Sequence, residues 1–174
     1  MWLGADGSLH IRSSYYCNGA DIAERTLTVE PLEPGEVVSL DETQEGKLRK
    51  SRGAYENTVA GVVSTNPGII LNSGDNPDIS ADGQTLEQID AAGSRTEPVV
   101  VDGVPLALAG RAPVRVTTEN GSIRVGDILV SSSRPGYAMR GDREIIISTP
   151  GVSIGKAMES LDEGEGTILV LVNL

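Results

Sequence analysis

The run PGEVVSLDETQEGKLRKS (34–51), followed by VAGVVS (59–64), decides how this chain is read, because the same pattern returns near the other end. There VGDILVSSSRPGYAMRG (125–141) is followed by SIGKAMES (153–160). Gly35 matches Gly126, Gly46 matches Gly136 and Gly61 matches Gly155. In each copy a glycine and an acidic residue open a strand, a second glycine opens the next, and a third sits inside the closing strand. A glycine-punctuated β pattern that occurs twice predicts two related β-units packed as a barrel or sandwich.

Working outward, the remaining apolar runs are short, rich in Val and Ile, and bounded by Gly, Pro or Asn. PGIILN (67–72), EPVVVDGVPLALAG (97–110), APVRVTT (112–118), EIIIST (144–149) and GTILVLVNL (166–174) all read as strands, which makes the class all-β. One short helix is expected over 85–92, where Leu86 and Ile89 are three apart before Gly93. Asn120-Gly121 between apolar runs predicts a type I′ hairpin turn. The polar stretch NSGDNPDISADGQTLEQIDAAGSRTE (72–97) reads as a surface excursion between the units.

The 174 residues suffice for one ordinary domain with a short arm. With no Phe, one Trp and four Tyr, the core must be aliphatic. The formal net charge of −11 opposes nucleic-acid binding, which relies on clustered Lys and Arg at phosphates. Cys17 is the only cysteine and His10 the only histidine, so the sequence offers neither an intrachain disulfide nor a Cys/His zinc site, and no cofactor is expected. No apolar run approaches the roughly 18 residues of a membrane span, so no membrane insertion is expected. No basic segment with an apolar stretch after it opens the sequence, and export is expected by another route or within a longer chain.

The first residues differ from the rest. GADGSLHIRSSYYCNG (4–19) alternates small polar turns with SLHI and SYYC, too sparse for a core of its own. We expect residues 1–17 to form an intertwining arm and 18–174 a β-rich head. Leu9, Ile11, Tyr15 and Tyr16 are the expected oligomer interface, since such side chains on a thin arm need copies of the chain to bury them.

Candidate chemistry is thin. His10 could act as a general base only by reaching a Ser or Cys17 across its own arm and reads as structural, and a Ser-Lys dyad from Ser131, Ser132 or Ser133 with Lys156 is not required by spacing. Asp75, Asp78 and Asp82 lack the alternating ligands and terminal Glu of a calcium loop, so no metal is expected. No phosphate-binding glycine loop is present. The remaining pair is Asp21 and Glu24 in NGADIAE (18–24). If one carboxyl were protonated and the other ionised, the two would form an acid-base pair on a nearby backbone bond. The alternative is structural: Asp21 accepts hydrogen bonds from a relaxed turn at 18–20, while Glu24 pairs with Arg12 or Arg25.

The DIAE knot (21–24), the GKLRK turn (46–50) and VAGVVSTNPG (59–68), continued by PLALAGRAPVRV, IRVGDILVSSSRPGYAMR and IGKAMESLDEGEGTILVLV, resemble the C-terminal head domain of phage tail and neck appendages and of bacterial surface fibre proteins. Within that group the chain is similar to the autoproteolytic intramolecular-chaperone domains, chiefly over 21–67. The resemblance implies a non-enzymatic terminal cap and oligomerisation domain, a homotrimer on an upstream fibre or stalk, located on a virion or at the cell surface. Residues 4–17 would be the last turns of the stalk. It also implies an alternative, self-cleavage using Asp21 and Glu24, although Asn18-Gly19-Ala20 departs from the Asp-Ser or Ser-Ser expected before the knot. We expect no efficient self-cleavage, and no dedicated catalytic residue. A further alternative is a tip that binds a host-surface receptor or glycan, for which only Trp2 and the four tyrosines offer stacking surfaces.

Overall fold

The structure is a computed structural model. It describes residues 2–3, 9–10, 19–71 and 103–173, the first four by backbone alone. Two short strands at the start, β1 (Trp2–Leu3) and β2 (Leu9–His10), pair antiparallel. They are followed by β3 (Asp21–Leu27), β4 (Val37–Leu40), β5 (Leu48–Lys50), β6 (Val59–Val63), β7 (Ile69–Leu71) and β8 (Gly103–Thr117). After these come β9 (Ile128–Ser131), β10 (Ala138–Arg140), one helix α1 (Arg143–Ser148), β11 (Ser153–Ala157) and β12 (Glu165–Asn173).

The long strand β8 is shared by two five-stranded barrels. Its C-terminal half, β12, β11, β9 and β10 form a ring that returns to β8 through the parallel pair Ala138 and Val116. Its N-terminal half, β6, β4 and β5 lead to β3 through the parallel bridge Leu48–Thr28, and β3 returns to β8. Closure leaves each barrel without a free sheet edge of its own.

The sequence echo is therefore structural. Gly35 and Gly126 have φ of 81° and 93°, and Gly46 and Gly136 have φ of 75° and 77°. Gly61 stands opposite Val38 and Gly155 opposite Leu129, each beside a register shift that bends the strand pair. The hydrogen bonds repeat as well. Gly35 N–H donates to Val63 O and Val63 N–H to Glu36 O; Gly126 N–H donates to Ala157 O and Ala157 N–H to Asp127 O. Even the acidic residues share a task, because the carboxylates of Glu36 and Asp127 accept from the N–H groups of Glu33 and Arg124, three residues upstream.

Three details depart from the sequence reading. EIIIST is not a strand: Asp142 caps a helix there by accepting from Glu144 N–H at 2.9 Å, and Ile146 packs beside Val130 and Met139. Asn120-Gly121 does not make a type I′ hairpin. The turn closes from Gly121 N–H to Thr118 O, and Gly121 alone carries positive φ, while β8 leaves it to pair with β10 and β12. The two apolar runs around Gly110 are one strand, β8, bent at that glycine. The expected helix over 85–92 lies outside the described residues.

The core is aliphatic, as the composition requires. The second barrel is filled by Ala112, Val114, Val116, Ile123, Leu129, Ala138, Ile154, Ile168, Val170 and Val172. The first is lined by Val38, Leu48, Val63 and Leu106, with Leu32, Ala60, Val104 and Leu108 only partly buried. Between them, Glu36 of the first unit is held at 2.7 Å by Lys50 Nζ and at 3.2 Å by Arg115 Nη1 from β8. Such a buried carboxylate needs both cations to offset its lost hydration.

Candidate functional site

The candidate site is where the chain enters the first barrel. Gly19 packs so closely on the turn at 66–68 that an added Cβ would stand 2.1 Å from Gly68 N and 2.3 Å from Asn66 O. Ala20 O accepts from Arg111 N–H at 3.0 Å, and Asp21 O accepts from Gly68 N–H at 2.8 Å. From the other side Gly110, with φ of 118°, approaches so that a Cβ would lie 2.5 Å from Ala20 O. The residues before the knot are thus clamped between two backbones, where the sequence reading expected a relaxed turn. Both clamps need glycine because backbone atoms, not movable side-chain ends, occupy the space a Cβ would take.

Within β3, side chains alternate between faces. Asp21 and Ala23 are buried on one face, and Glu24 is half-buried on the other, with exposed Ile22. Three strand steps also separate Asp21 from Glu24 by about 10 Å. The two carboxyls are not brought together on one bond, and an acid-base pair needs that convergence. Asp21 is 5% exposed, and its Oδ2 is buried without a hydrogen-bond partner, so the expected role as turn acceptor does not describe that oxygen. Glu24 faces the interior side of the first barrel, opposite Leu106 of β8 and Leu71 of β7. Arg25 does not turn to Glu24: its Nη1 donates to Gly103 O at 2.8 Å. Arg12 lies outside the described residues.

The other candidates fall apart or out of view. Ser131 Oγ accepts from Glu56 N–H, Ser132 Oγ donates to Arg134 O, and Ser133 Oγ donates to Glu119. Lys156 is exposed and stands opposite Ile128, so no Ser-Lys dyad assembles. Of the expected interface residues, Leu9 lies in β2 opposite Leu3; Ile11, Tyr15 and Tyr16 lie outside the described residues, as do Asp75, Asp78 and Asp82. Among the described residues no group of three or more His, Cys, Asp or Glu is placed to hold a metal, and no helix is long and apolar enough to cross a membrane.

One polar cluster went unread in the sequence. Glu56 accepts from Ser39 Oγ, from Arg49 Nη1 at 3.0 Å, and from the N–H groups of Arg52 and Gly53 at 2.6 Å. Burial works against its charge, but the hydrogen bonds from Ser39, Arg52 and Arg49 outweigh it and hold the carboxyl below its ordinary range. The neighbouring Tyr55 has φ of 58°, and its hydroxyl accepts from Asp142 N–H at 2.8 Å. That turn is a strut between the two units. The β4–β5 register sets Ser39 opposite Arg49, and the turn after β5 folds Glu56 back onto both.

No protein-family model and no curated protein matches the chain. Solved structures that share the fold include two crystal structures of bacteriophage phi29 gene product 12. Its pre-mature form is 19% identical, with a TM-score of 0.64 over 97% of this chain. Its C-terminal fragment is 20% identical, with a TM-score of 0.56 over 88% of this chain and 100% of the fragment. The chain spans 24% of the length of the pre-mature protein.

Proposed function

We propose that this chain is a structural, non-enzymatic cap and assembly domain at the end of a fibre or phage tail appendage, acting as a homotrimer on a virion or cell surface. The single observation that carries the reading is the likeness over 97% of this chain to phi29 gene product 12, together with coverage of the whole C-terminal fragment. The closed double barrel supports it, since a compact head of this kind ends the strand edges of a stalk and sets the register of its chains. Residues 1–17, with Leu9, Ile11, Tyr15 and Tyr16, are the arm through which copies intertwine. Light scattering should give a trimer for residues 1–174 and a smaller species once 1–17 are deleted. A monomer before and after the deletion removes the reading.

A second reading rests on one specific observation: Asp21 is buried with an unpartnered oxygen beside the clamped Ala20–Asp21 bond. Under it the chain is a self-cleaving intramolecular chaperone. The opposite facing of Asp21 and Glu24 argues for the structural role. Intact mass spectrometry of fresh protein distinguishes the two, because cleavage would split the chain between Cys17 and Glu24, and Asp21→Ala would prevent it.

A further inference from the structure

Asn120-Gly121 makes no type I′ turn, and its asparagine instead ties the two units together. Asn120 Nδ2 donates to Arg140 O of β10 at 2.9 Å and to the Tyr55 hydroxyl, on the loop after β5, at 3.3 Å. Arg140 returns the contact, its Nε and Nη2 donating to Asn120 O at 3.1 and 2.8 Å. The same Tyr55 hydroxyl accepts from Asp142 N–H at the start of α1. Tyr55 holds this place with a φ of 58°, a costly conformation for a bulky side chain. One hydroxyl of the first unit thus joins the β8–β9 turn and the start of α1 in the second.

Asparagine followed by glycine is also a pair prone to modify itself, because glycine has no Cβ to obstruct its own nitrogen. That nitrogen gives up its proton to solvent and forms a bond to the asparagine Cγ. The Cγ–Nδ2 bond breaks, the departing nitrogen takes up a proton and leaves as ammonia, and water opens the ring to aspartate or isoaspartate. In the folded chain each participant is held. Gly121 N–H, whose proton must leave, donates to Thr118 O at 2.9 Å. The Asn120 amide, which must swing toward that nitrogen, is anchored to Arg140 O and Tyr55. Arg140 lies over Gly121, where a Cβ would meet its Nη2 at 3.1 Å. Gly121 is exposed, so water reaches the turn and only these bonds stand in the way. We propose that Asn120 is a deamidation site that the docking of Tyr55 keeps shut, and that its conversion unties the units at this point. Aspartate at 120 has no N–H for Arg140 O and sets a carboxylate oxygen against that carbonyl. Isoaspartate lengthens the backbone and shifts the oxygen that Arg140 holds.

The test is incubation of the full chain at mildly alkaline pH, followed by mass-spectrometric mapping of the tryptic peptide 116–124. The folded wild type should convert Asn120 at least about tenfold more slowly than the same chain in denaturant, the factor expected of two hydrogen bonds to the amide. Tyr55→Phe, which keeps the ring and loses the hydroxyl, should raise the folded rate severalfold. Arg140→Ala, at an exposed position, should do the same and carries the test if Tyr55→Phe fails to fold, with far-UV circular dichroism as the check. Asn120→Asp should lower the thermal midpoint by about 3 °C. A folded wild type that converts at the denatured rate overturns the guard, as does an unchanged rate in the folded variants. An Asn120→Asp midpoint equal to that of the wild type overturns the untying.

Discussion

The two barrels share one wiring diagram and differ in what they enclose. Register makes Glu24 the counterpart of Ala112 and Thr26 that of Val114, because Glu24 and Thr26 face Leu106 and Val104 as Ala112 and Val114 face Val170 and Ile168. In the second barrel Ala112, Val114, Ile123 and Ile154 are fully buried. In the first, Glu24, Thr26, Leu32 and Ala60 remain half-buried. The outer faces of the hairpins diverge in the same way. Ser39 and Arg49 with Glu56 form a polar cluster where Val130 and Met139 with Val152 and Ile146 form an apolar one. Duplication of a fold thus leaves one copy as the stable core and frees the other to hold the chain entry.

The largest effect should come from moving the carboxylate. Ala112→Glu would put in the second barrel what the first barrel tolerates at Glu24, and should cost about 4 kcal/mol or more, since no cation waits there. A chemical-denaturation loss below about 1 kcal/mol would break the comparison. Next, Ile123→Ala should cost about 3 kcal/mol by leaving a cavity, and its counterpart Leu32→Ala only about 1 kcal/mol. Equal losses in thermal or urea unfolding would mean that the barrels are equally well filled.

A smaller expected effect than that of Ile123→Ala concerns acid. The folded pKa of Glu56 lies below its unfolded value, so its contribution is complete above the ordinary carboxylate pKa of about 4.3 and is lost as pH falls through the folded value. Glu56→Gln should lower stability at neutral pH by about 2 kcal/mol, because buried Arg49 then keeps only the longer ion pair to exposed Glu42, and should flatten the loss between about pH 5 and pH 3. An unchanged acid slope in urea midpoints would place the acid sensitivity elsewhere.

The repeated glycines made the double unit legible, since backbone positions with positive φ leave a mark in the sequence itself. Strands at 37–40, 59–63, 128–131 and 165–173 were legible for the same reason as any Val- and Ile-rich run. β3 was not: Asp21, Glu24 and Arg25 make it look like a polar knot, although Ala23 is fully buried. Three isoleucines in α1 argued for a strand, and the capping Asp142 outweighed them. At the site, Asp21 and Glu24 were visible as a pair, but which way each faced depended on strand alternation and on the partner strand. The clamp on Gly19 was invisible because Asn66 and Gly68, far along the chain, create it.

Native mass spectrometry of the freshly purified chain reads assembly and integrity together, and it should show three intact chains per particle, each running from residue 1 to residue 174. A monomer would contradict the assembly role, and chains that begin between Cys17 and Glu24 would contradict the structural assignment of Asp21 and Glu24.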